Sequence, residues 1–466
     1  MYSLGIHAHG LEKDKDVKMN KILFISLGCD KNLVDTEKML GLLGREGFAF
    51  TDREEEAQVI IVNTCCFIGD AKEESINTLL EMARYKEEGE CKALLAAGCL
   101  AQRYKEEILK EIPEVDAIIG TSAYEGIVSV VRAVLEEKKS HVSCFRDIDA
   151  PFRENPPRLL TTGGGYAYLK IAEGCDKCCT YCIIPSLRGH YRSVPMEELV
   201  KEAQELAAGG VRELILVAQE TTLYGVDLYG EKRLPQLLRE LARIPGIYWI
   251  RLQYCYPEEI TDELIQVIRE EEKVCHYLDI PIQHASDAVL KRMGRRTDQK
   301  KLREIIGKLR REIPDIALRT TLISGFPGET QEDHEELYRF VNEMEFDRLG
   351  VFAYSMEEDT PAALLPDQIP QEMKEERRDE LMELQQEIAF ERAEAMVGRI
   401  LEVMIEGKIA DEAVYVGRTT MDSPNVDGLI FVHTGKELLS GDFLKVRVTK
   451  AQEYDLIGEV YDESAK

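Results

Sequence analysis

The sequence predicts an α/β protein with three folded parts, and two observations lead to this fold class. Short apolar runs alternate with amphipathic helical stretches in two successive regions, which is typical of parallel sheets covered by helices. The C-terminal residues then change to short β runs bounded by turn residues. The 466 residues leave room for about three domains, and an apolar content of 44% excludes a wholly disordered chain.

The first α/β region covers residues 19–145 and follows a flexible leader at 1–18. It contains four short apolar runs, and an amphipathic helical stretch follows each of them. No single strand–helix unit is large enough to fold alone, so we expect all of them to share one parallel sheet. The strands are expected at 21–25, 59–62, 93–96 and 117–119, and the helices at 32–46, 71–85, 102–111 and 124–135.

The second α/β region covers residues 166–375 and follows a linker at 146–165 that contains several Pro and Gly residues. Its six strand–helix units are fewer than the eight of a complete (βα)8 barrel. We therefore expect an open, partial (βα)6 barrel. Its strands are expected at 168–172, 213–218, 250–254, 277–282, 318–323 and 349–354.

The chain ends in a helix and a small β domain. Residues 376–397 are highly charged and contain no Pro, which predicts a solvent-exposed linker helix. Residues 398–466 contain five short β runs, which predict a small OB-like β-barrel. These runs are at 400–405, 413–416, 429–432, 443–448 and 456–461.

The charge of the chain favours a protein partner over RNA. There are 59 Lys and Arg against 87 Asp and Glu, a net charge of −28. Surfaces that bind RNA neutralise phosphates with basic side chains, so RNA binding is not expected, whereas a basic partner would be attracted. The C-terminal β domain shares this bias, with eight basic and 14 acidic residues from 393 to the end.

The sequence indicates a cytoplasmic protein with reduced cysteines. No apolar run approaches the 18 or so residues of a membrane span, so none is expected. The first 20 residues lack the apolar stretch of a secretory signal. The chain has twelve cysteines, and clustered cysteines in a reducing compartment indicate metal or redox chemistry more often than disulfides.

Three cysteines form a C-x3-C-x2-C loop directly after the first strand of the second region: Cys175, Cys179 and Cys182. Three thiolates from one tight loop can hold three irons of a [4Fe–4S] cube and leave the fourth iron open to another molecule. A zinc site remains an alternative, because Cys178 makes two C-x2-C pairs. Zinc pairs are normally separated by a dozen or more residues, and here nothing separates them. Cys178 is therefore expected not to be a ligand.

This loop at the mouth of a partial barrel resembles that of the radical S-adenosylmethionine (SAM) superfamily. The resemblance implies that SAM chelates the open iron and that one electron cleaves it to methionine and a 5′-deoxyadenosyl radical. That radical would remove hydrogen from an unactivated C–H bond. The resemblance also implies that Tyr181 lies near the adenine, although ordinary packing explains this residue equally well.

A second trio, Cys29, Cys65 and Cys99, is spread along the first region. Each follows the end of a predicted parallel strand, and such loops meet at one edge of a sheet. We therefore expect the three thiols to meet and to bind a second [4Fe–4S] cluster with an open iron. Cys66 and the remaining cysteines are expected to be packing residues: Cys91, Cys144, Cys255 and Cys275.

With both trios present, the chain resembles the radical SAM methylthiotransferase family over about residues 21–462. That family has an N-terminal domain with an auxiliary cluster, a radical SAM barrel and a C-terminal TRAM domain, and it uses two SAM molecules per turnover. Several stretches resemble the RimO type, which modifies the β-carbon of an aspartate in the twelfth protein of the small ribosomal subunit. They are 26–35, 64–68, 219–225, 253–257, 281–287 and 423–428, whereas 97–102 resembles the family as a whole.

The RimO type implies a basic ribosomal protein as substrate, together with a flavodoxin-like or ferredoxin-like electron donor and a sulfur carrier. The alternatives are a MiaB-type enzyme that modifies tRNA adenosine and, in another class, a non-catalytic iron–sulfur carrier. No side chain is assigned a catalytic role. Arg251 and Arg319 are candidates to contact the substrate aspartate, and structural ion pairing is the alternative for both.

Overall fold

A computed structural model describes residues 20–152, 155–163 and 165–462. The leader expected at 1–18 lies outside the described residues. The N-terminal domain alternates strands and helices. Its elements are β1 (Lys21–Ser26), α1 (Asp30–Arg45), β2 (Ala49–Phe50), β3 (Val59–Thr64), α2 (Gly69–Ala83), α3 (Tyr85–Glu88), β4 (Ala93–Gly98), α4 (Cys99–Tyr104), α5 (Glu106–Glu111), β5 (Val115–Ile119), α6 (Ile127–Leu135) and β6 (Val142–Cys144).

These strands form one parallel sheet in the order β2-β1-β3-β4-β5-β6. Two apolar clusters cover its two faces, so β3 and β4 are buried throughout. Burial on both faces explains why these strands are continuous apolar runs. The predicted parallel sheet is confirmed, and the short edge strands β2 and β6 are additions to it.

The central domain contains the longest set of elements. These are β7 (Tyr166–Lys170), β8 (Ala172–Glu173), α7 (Ile184–Arg188), β9 (Arg192–Ser193), α8 (Met196–Ala208), β10 (Glu213–Val217), α9 (Val226–Tyr229), α10 (Leu234–Ala242), β11 (Trp249–Leu252), α11 (Asp262–Glu270), β12 (Val274–Asp279), α12 (Asp287–Arg292), α13 (Gln299–Glu312), β13 (Ala317–Ser324), α14 (Gln331–Met344), β14 (Arg348–Ala353) and α15 (Gln371–Glu394).

Six of these strands form a parallel sheet in the order β14-β13-β12-β11-β10-β7. The outward face, with Leu169, Leu214 and Ile250, packs in one large apolar cluster that includes side chains of the surrounding helices. This arrangement confirms the partial (βα)6 barrel. The pleat directs the alternate residues to the inner face, where the neighbouring domains meet them.

The inner face of the barrel is covered by the other two domains. In its carboxyl half, Val34 of α1 packs against Tyr168, Ile215 and Val217. At the amino ends of the strands, Met404 of the C-terminal domain joins a cluster of aromatic and small side chains. The N-terminal domain and the C-terminal domain therefore both complete the barrel interior.

The C-terminal domain is a closed barrel of five strands in the order β15-β16-β17-β19-β18, which confirms the predicted OB-like barrel. Its strands are β15 (Ile400–Lys408), β16 (Val414–Thr419), β17 (Ile430–His433), β18 (Phe443–Gln452) and β19 (Asp455–Val460). Across residues 20–152, 155–163 and 165–462, no helix is both long and apolar enough to cross a membrane.

The segment expected as a linker helix at 376–397 is helical, but the helix is displaced towards the N-terminus and is not solvated on all sides. The helix α15 runs from Gln371 to Glu394 and packs along the edge strand β14. Leu381, Leu384 and Ile388 are buried in the apolar cluster of the barrel. Their spacing of three and four residues makes a narrow apolar stripe, which the many charged residues of this segment conceal.

The linker at 146–165 is also held in place where it is described. The guanidinium of Arg158 bonds to Glu37 of α1 and, at 3.0 Å, to Glu202 of α8. This segment is therefore part of the contact between the first two domains.

Candidate metal centres

The three scattered cysteines lie at one edge of the N-terminal sheet. Cys65 follows β3 directly and Cys99 follows β4 directly, while Cys29 is three residues beyond β1. Because β1, β3 and β4 are neighbours in the sheet, their carboxyl ends bring the three loops together. Cys65 and Cys99 are buried, and Cys29 is partly exposed.

Two glycines allow this close approach. Gly28 has φ +81°, and a Cβ at this position would lie 2.7 Å from the Sγ of Cys65. Gly98 has φ +88°, and its Cβ would lie 2.3 Å from the Oδ1 of Asn63. Only a residue without a side chain fits either position, since both the backbone conformation and the space exclude Cβ.

Two buried amides fix the loops around the cysteines. The Nδ2 of Asn32 donates to the carbonyls of Leu27 and Thr64 at 3.1 and 3.0 Å. The Nδ2 of Asn63 donates to the carbonyl of Asn32 at 2.8 Å, so the amides join α1 to the ends of β1 and β3. This buried network orders the loops that carry the thiols.

Burial and the neighbouring thiols raise the pKa values of Cys65 and Cys99. Burial, followed by the nearby Cys29 and Cys99, raises the pKa of Cys65 to about 12. Burial also raises the pKa of Cys99, whereas the charge of Arg188 lowers it. A thiol in this environment keeps its proton unless a cation replaces it, which is what a metal cluster provides.

The second trio lies on the loop that follows β8, at the carboxyl end of the barrel. The backbone N–H of Cys175 donates to the carbonyl of Gly189 at 3.1 Å, and that of Cys182 donates to the carbonyl of Cys179 at 3.1 Å. Thr180 anchors the loop, because its N–H donates to the carbonyl of Met293 at 3.0 Å. Burial raises the pKa of both Cys175 and Cys182 to about 12.

Tyr181 packs in an aromatic pocket beside this loop. Its ring meets that of Phe326 edge-on, with centroids 6.4 Å apart, and it contacts the buried cluster around Met293. Burial, followed by the charge of Cys179, raises the pKa of its phenol. These contacts are ordinary packing contacts, so the position near adenine stays a prediction.

Two further residues surround the second trio and were not identified from the sequence. The phenol of Tyr256 lies 3.7 Å from the Sγ of Cys179. The guanidinium of Arg295 stacks over the ring of Tyr256, 4.2 Å from its centroid. Tyr256 follows β11 and Arg295 follows α12, so no local motif links either of them to the cysteine loop.

The environments of the other cysteines match packing roles. Cys178 is exposed and has φ +54°, unlike the buried Cys175 and Cys179 on either side. Cys66 is fully buried in the apolar cluster under α2 and α4. The other four are free thiols in strands, cores or turns: Cys91, Cys144, Cys255 and Cys275.

Within the part of the chain that the structure describes, no three His, Cys, Asp or Glu side chains are grouped to hold one metal ion. A [4Fe–4S] cube makes a different demand, because each thiolate binds its own iron and the sulfurs stand further apart. Each trio provides three largely buried thiols on one loop or on neighbouring loops, which is a suitable set of ligands for three irons of such a cube.

A buried charged cluster joins the barrel segments on either side of the second trio to Cys99 of the first trio. Arg188, six residues after Cys182, donates from Nη2 to the Sγ of Cys99 at 3.5 Å. Its Nη1 donates to Asp35 at 2.9 Å and to Glu173 at 3.0 Å. Lys170 bonds to the same two carboxylates. The cysteine loop of the barrel is thereby tied to the cysteine edge of the N-terminal sheet.

The two arginines considered for substrate binding serve structural ion pairs instead. Arg251 is fully buried, with its Nε 2.7 Å from Glu213, and it donates to the Thr420 carbonyl of the C-terminal domain at 2.8 Å. Arg319 bonds to Asp279 at 2.9 Å. Of the two alternatives left open by the sequence, the structural one is therefore the one observed.

The turn that follows β13 contains Gly325 and Gly328, and neighbouring side chains occupy the space beside both glycines. A Cβ on Gly325 would lie 2.3 Å from a carbon of Lys374, and one on Gly328 would overlap the guanidinium of Arg292. The Glu329 carboxylate accepts the N–H groups of Gly325 and Phe326 at 2.8 and 3.1 Å. These contacts explain the turn without a ligand.

Three family models match the chain in succession. Residues 21–120 match the uncharacterized protein family UPF0004, residues 169–341 match the radical SAM superfamily, and residues 397–460 match the TRAM domain. These three segments correspond to the three domains of the fold.

Relatives named ribosomal protein uS12 methylthiotransferase RimO match along nearly the whole chain. The protein from Lachnoclostridium phytofermentans is 65% identical, and the match covers 94% of this chain and 99% of the relative. The one from Acetivibrio thermocellus is 53% identical, over 96% and 99% of the two chains. The one from Clostridioides difficile is 50% identical, over 96% and 100%.

Among solved structures, the radical SAM methyltransferase TsrM from Kitasatospora setae has a similar fold. The TM-score is 0.53 at 13% identity, over 82% of this chain and 80% of TsrM. The cobalamin-dependent radical SAM enzyme OxsB matches 78% of this chain and 56% of its own, with a TM-score of 0.50 at 13% identity. These similarities concern the fold. On the near full-length identity to its relatives, the chain belongs to the RimO family of radical SAM methylthiotransferases.

Proposed function

We propose that this chain adds a methylthio group to the β-carbon of an aspartate in ribosomal protein uS12. The observation that carries the proposal is the placement of two cysteine trios on facing domains, with Arg188 of the barrel in contact with Cys99 of the sheet. Sulfur delivery and radical formation can then take place side by side. The RimO names of the near full-length relatives support uS12 as the substrate.

Six cysteines would hold the cofactors. Cys29, Cys65 and Cys99 would bind an auxiliary [4Fe–4S] cluster. A second cluster, together with SAM, would be bound by the loop residues Cys175, Cys179 and Cys182. When bound, these groups supply an electron, a carbon-centred radical and a methylated sulfur for insertion into an inert C–H bond.

The protein contributes positioning and a dry environment. Thr180 and the carbonyl of Gly189 fix the cysteine loop, while Tyr256 lies against Cys179 and Arg295 stacks on Tyr256. In this proposal Tyr181 lies beside the adenine of SAM. Covering side chains of this kind exclude water, which would otherwise quench reactive intermediates.

The partners follow from charge and compartment. A net charge of −28 would attract a basic ribosomal protein and disfavours tRNA. All twelve cysteines are free thiols, which suits the reducing cytoplasm. We propose a flavodoxin-like or ferredoxin-like electron donor and a separate sulfur carrier, because reductive cleavage of SAM consumes an electron and each methylthio group transferred removes a sulfur atom.

The substrate is tested with the reconstituted enzyme under anaerobic conditions. We expect mass spectrometry to show one added methylthio group on uS12 in the presence of SAM, sulfide and reductant. A uS12 variant with Asn in place of the target aspartate is the control and should remain unmodified. Thiomethylated tRNA together with unmodified uS12 would contradict the proposal.

The roles of the two trios are tested by separate triple substitutions. Replacing Cys29, Cys65 and Cys99 by Ala should remove about half of the iron, roughly four atoms. It should stop methylthiolation but leave formation of 5′-deoxyadenosine from SAM. Replacing Cys175, Cys179 and Cys182 should stop both reactions. Cys178→Ala is the matched control, and its iron content and activity should not change.

A further inference from the structure

The side chain of Arg188 is buried where the two domains meet. It is 3% exposed and ends α7 of the barrel. Its Nη2 bonds to the Oδ1 of Asn32 and donates to the Sγ of Cys99 at 3.5 Å. A residue of the barrel therefore contacts a proposed cluster ligand of the N-terminal domain.

The charges around Arg188 balance. Its Nη1 bonds to Asp35 at 2.9 Å and to Glu173 at 3.0 Å, and Lys170 bonds to both carboxylates. Two cations and two anions are thus buried together. The paired carboxylates hold the guanidinium in one orientation, which is the condition for a buried ion pair to persist.

A donor directed at a ligating sulfur affects the metal centre. Reduction adds a negative charge to an iron–sulfur cluster, and a hydrogen bond or a positive charge at the sulfur stabilises that reduced form. Hydrogen bonds to the sulfurs are among the factors that set cluster potentials. The guanidinium of Arg188 provides both the hydrogen bond and the charge.

We propose that Arg188 is a positioning residue that orients Cys99 and raises the reduction potential of the auxiliary cluster. The potential of a centre in one domain would thus depend on a side chain of the other. The inference rests on the proposed function, because it requires a cluster on Cys29, Cys65 and Cys99.

The test uses the full-length chain with Cys175, Cys179 and Cys182 replaced by Ala, so that only the auxiliary centre remains. In this background R188Q is combined with D35N, which removes one charge of each sign and keeps the cluster of charges balanced. R188K keeps the positive charge but lacks the planar guanidinium group, whose several N–H donors reach the carboxylates and Cys99 together. Iron content and a potentiometric titration followed by electron paramagnetic resonance are the readouts.

We expect the R188Q/D35N variant to keep its iron and to be harder to reduce. At a fixed potential the ratio of reduced to oxidised cluster should fall at least about tenfold, equivalent to about 59 mV for a one-electron couple. R188K should give a smaller shift in the same direction. If R188Q/D35N and R188K both lost iron while the control R158Q/E202Q retained it, the result would support the role of Arg188 in orienting Cys99.

The matched control is R158Q combined with E202Q. Arg158 is another buried arginine between the same two domains, and it pairs with Glu37 and Glu202. This control should leave the potential of the auxiliary centre unchanged, even if the protein becomes less stable.

An unchanged potential in both Arg188 variants would overturn the inference, as would an equal shift in the Arg158 control. A parent protein with no spectroscopic centre on the N-terminal trio would instead overturn the cluster assignment in the proposed function, and the inference with it.

Discussion

At the scale of single residues, the cysteine edge of the N-terminal sheet depends on neighbours that bind no metal themselves. Gly28 leaves room for the Cys65 thiol, Asn32 donates to the Leu27 carbonyl of the loop, and Asn63 donates to the Asn32 carbonyl of α1. The positions of the three thiols are therefore set by the packing of the protein itself. Such preorganisation keeps a site accurate, because the supporting side chains hold the ligands in place.

Gly28→Ala should damage the auxiliary site selectively. The substitution strains a residue with φ +81° and places Cβ within 2.7 Å of the Cys65 sulfur. We expect loss of about half of the iron, with the barrel cluster retained. The measurement is iron content combined with the absorption spectrum of the reconstituted protein.

Gly47→Ala is the control for Gly28→Ala. Gly47 has φ +85°, but a Cβ added there would meet no atom within 4 Å, so its substitution carries the backbone strain alone. It should cost about 1–2 kcal/mol and leave the iron content unchanged. Equal iron loss in both variants would show that backbone strain, and not the contact with Cys65, disturbs the site.

The six cysteines were predicted as ligands from local signals, which are a fixed spacing within one loop and the positions that follow three strand ends. The structure places Cys29, Cys65 and Cys99 at one edge of the sheet, and their ligation of a cluster stays a prediction. Arg188 could not be identified in this way. It is 89 residues from Cys99, and only the docking of two domains brings them together. Arg295 and Tyr256 were missed for the same reason, since each reaches the cysteine loop from a different strand–helix unit.

At the scale of elements, α15 shows how composition can conceal a packed helix. The central strands β3 and β4 of the N-terminal sheet were predicted because burial on two faces makes them nearly continuous apolar runs. In α15 the apolar residues form only a thin stripe, and even Lys374 and Arg377 are buried beside it. The short edge strands β2 and β6 have two and three residues, too few for any periodic signal.

Leu381→Ala should destabilise the barrel and not merely a connecting segment. The side chain is fully buried in the apolar cluster between helices and sheet. A truncation of this kind costs about 2–5 kcal/mol. Denaturant unfolding, followed by far-ultraviolet circular dichroism, measures the change.

The exposed Glu383 on the same helix provides the comparison. Glu383→Ala should change the free energy of unfolding by less than about 0.5 kcal/mol. If Leu381→Ala had an equally small effect, α15 would behave as the solvated linker that the sequence indicates.

At the scale of the whole molecule, three domains share one interior. The carboxylate of Glu213, at the start of β10, bonds to Arg251 of β11 and to Arg418 of β16 at 2.7 and 2.6 Å. All three side chains are fully buried. The C-terminal barrel is thus fixed to the amino ends of the strands by a desolvated ion-pair network as well as by the apolar contacts of Met404.

Glu213→Gln should loosen the C-terminal domain. Removing this charge leaves two buried arginines with reduced compensation, and breaking such a pair costs about 3–5 kcal/mol. We expect a lower unfolding midpoint and earlier proteolytic release of the C-terminal domain. Glu402→Gln, at the exposed margin of the same interface, keeps its acceptor for Trp249 and should behave like the parent. Similar behaviour of both variants would contradict this account of the interface.

The shared interior has a consequence for how the protein matures. Helix α1 is synthesised well before β7 and β10, on which it packs, and the C-terminal domain that covers the other half of the same surface is synthesised later still. Cys29, Cys65 and Cys99 are all translated before Arg188, their buried cation from the barrel, so iron delivered to a nascent chain would meet an incomplete site. Cofactor loading is therefore expected to follow release from the ribosome.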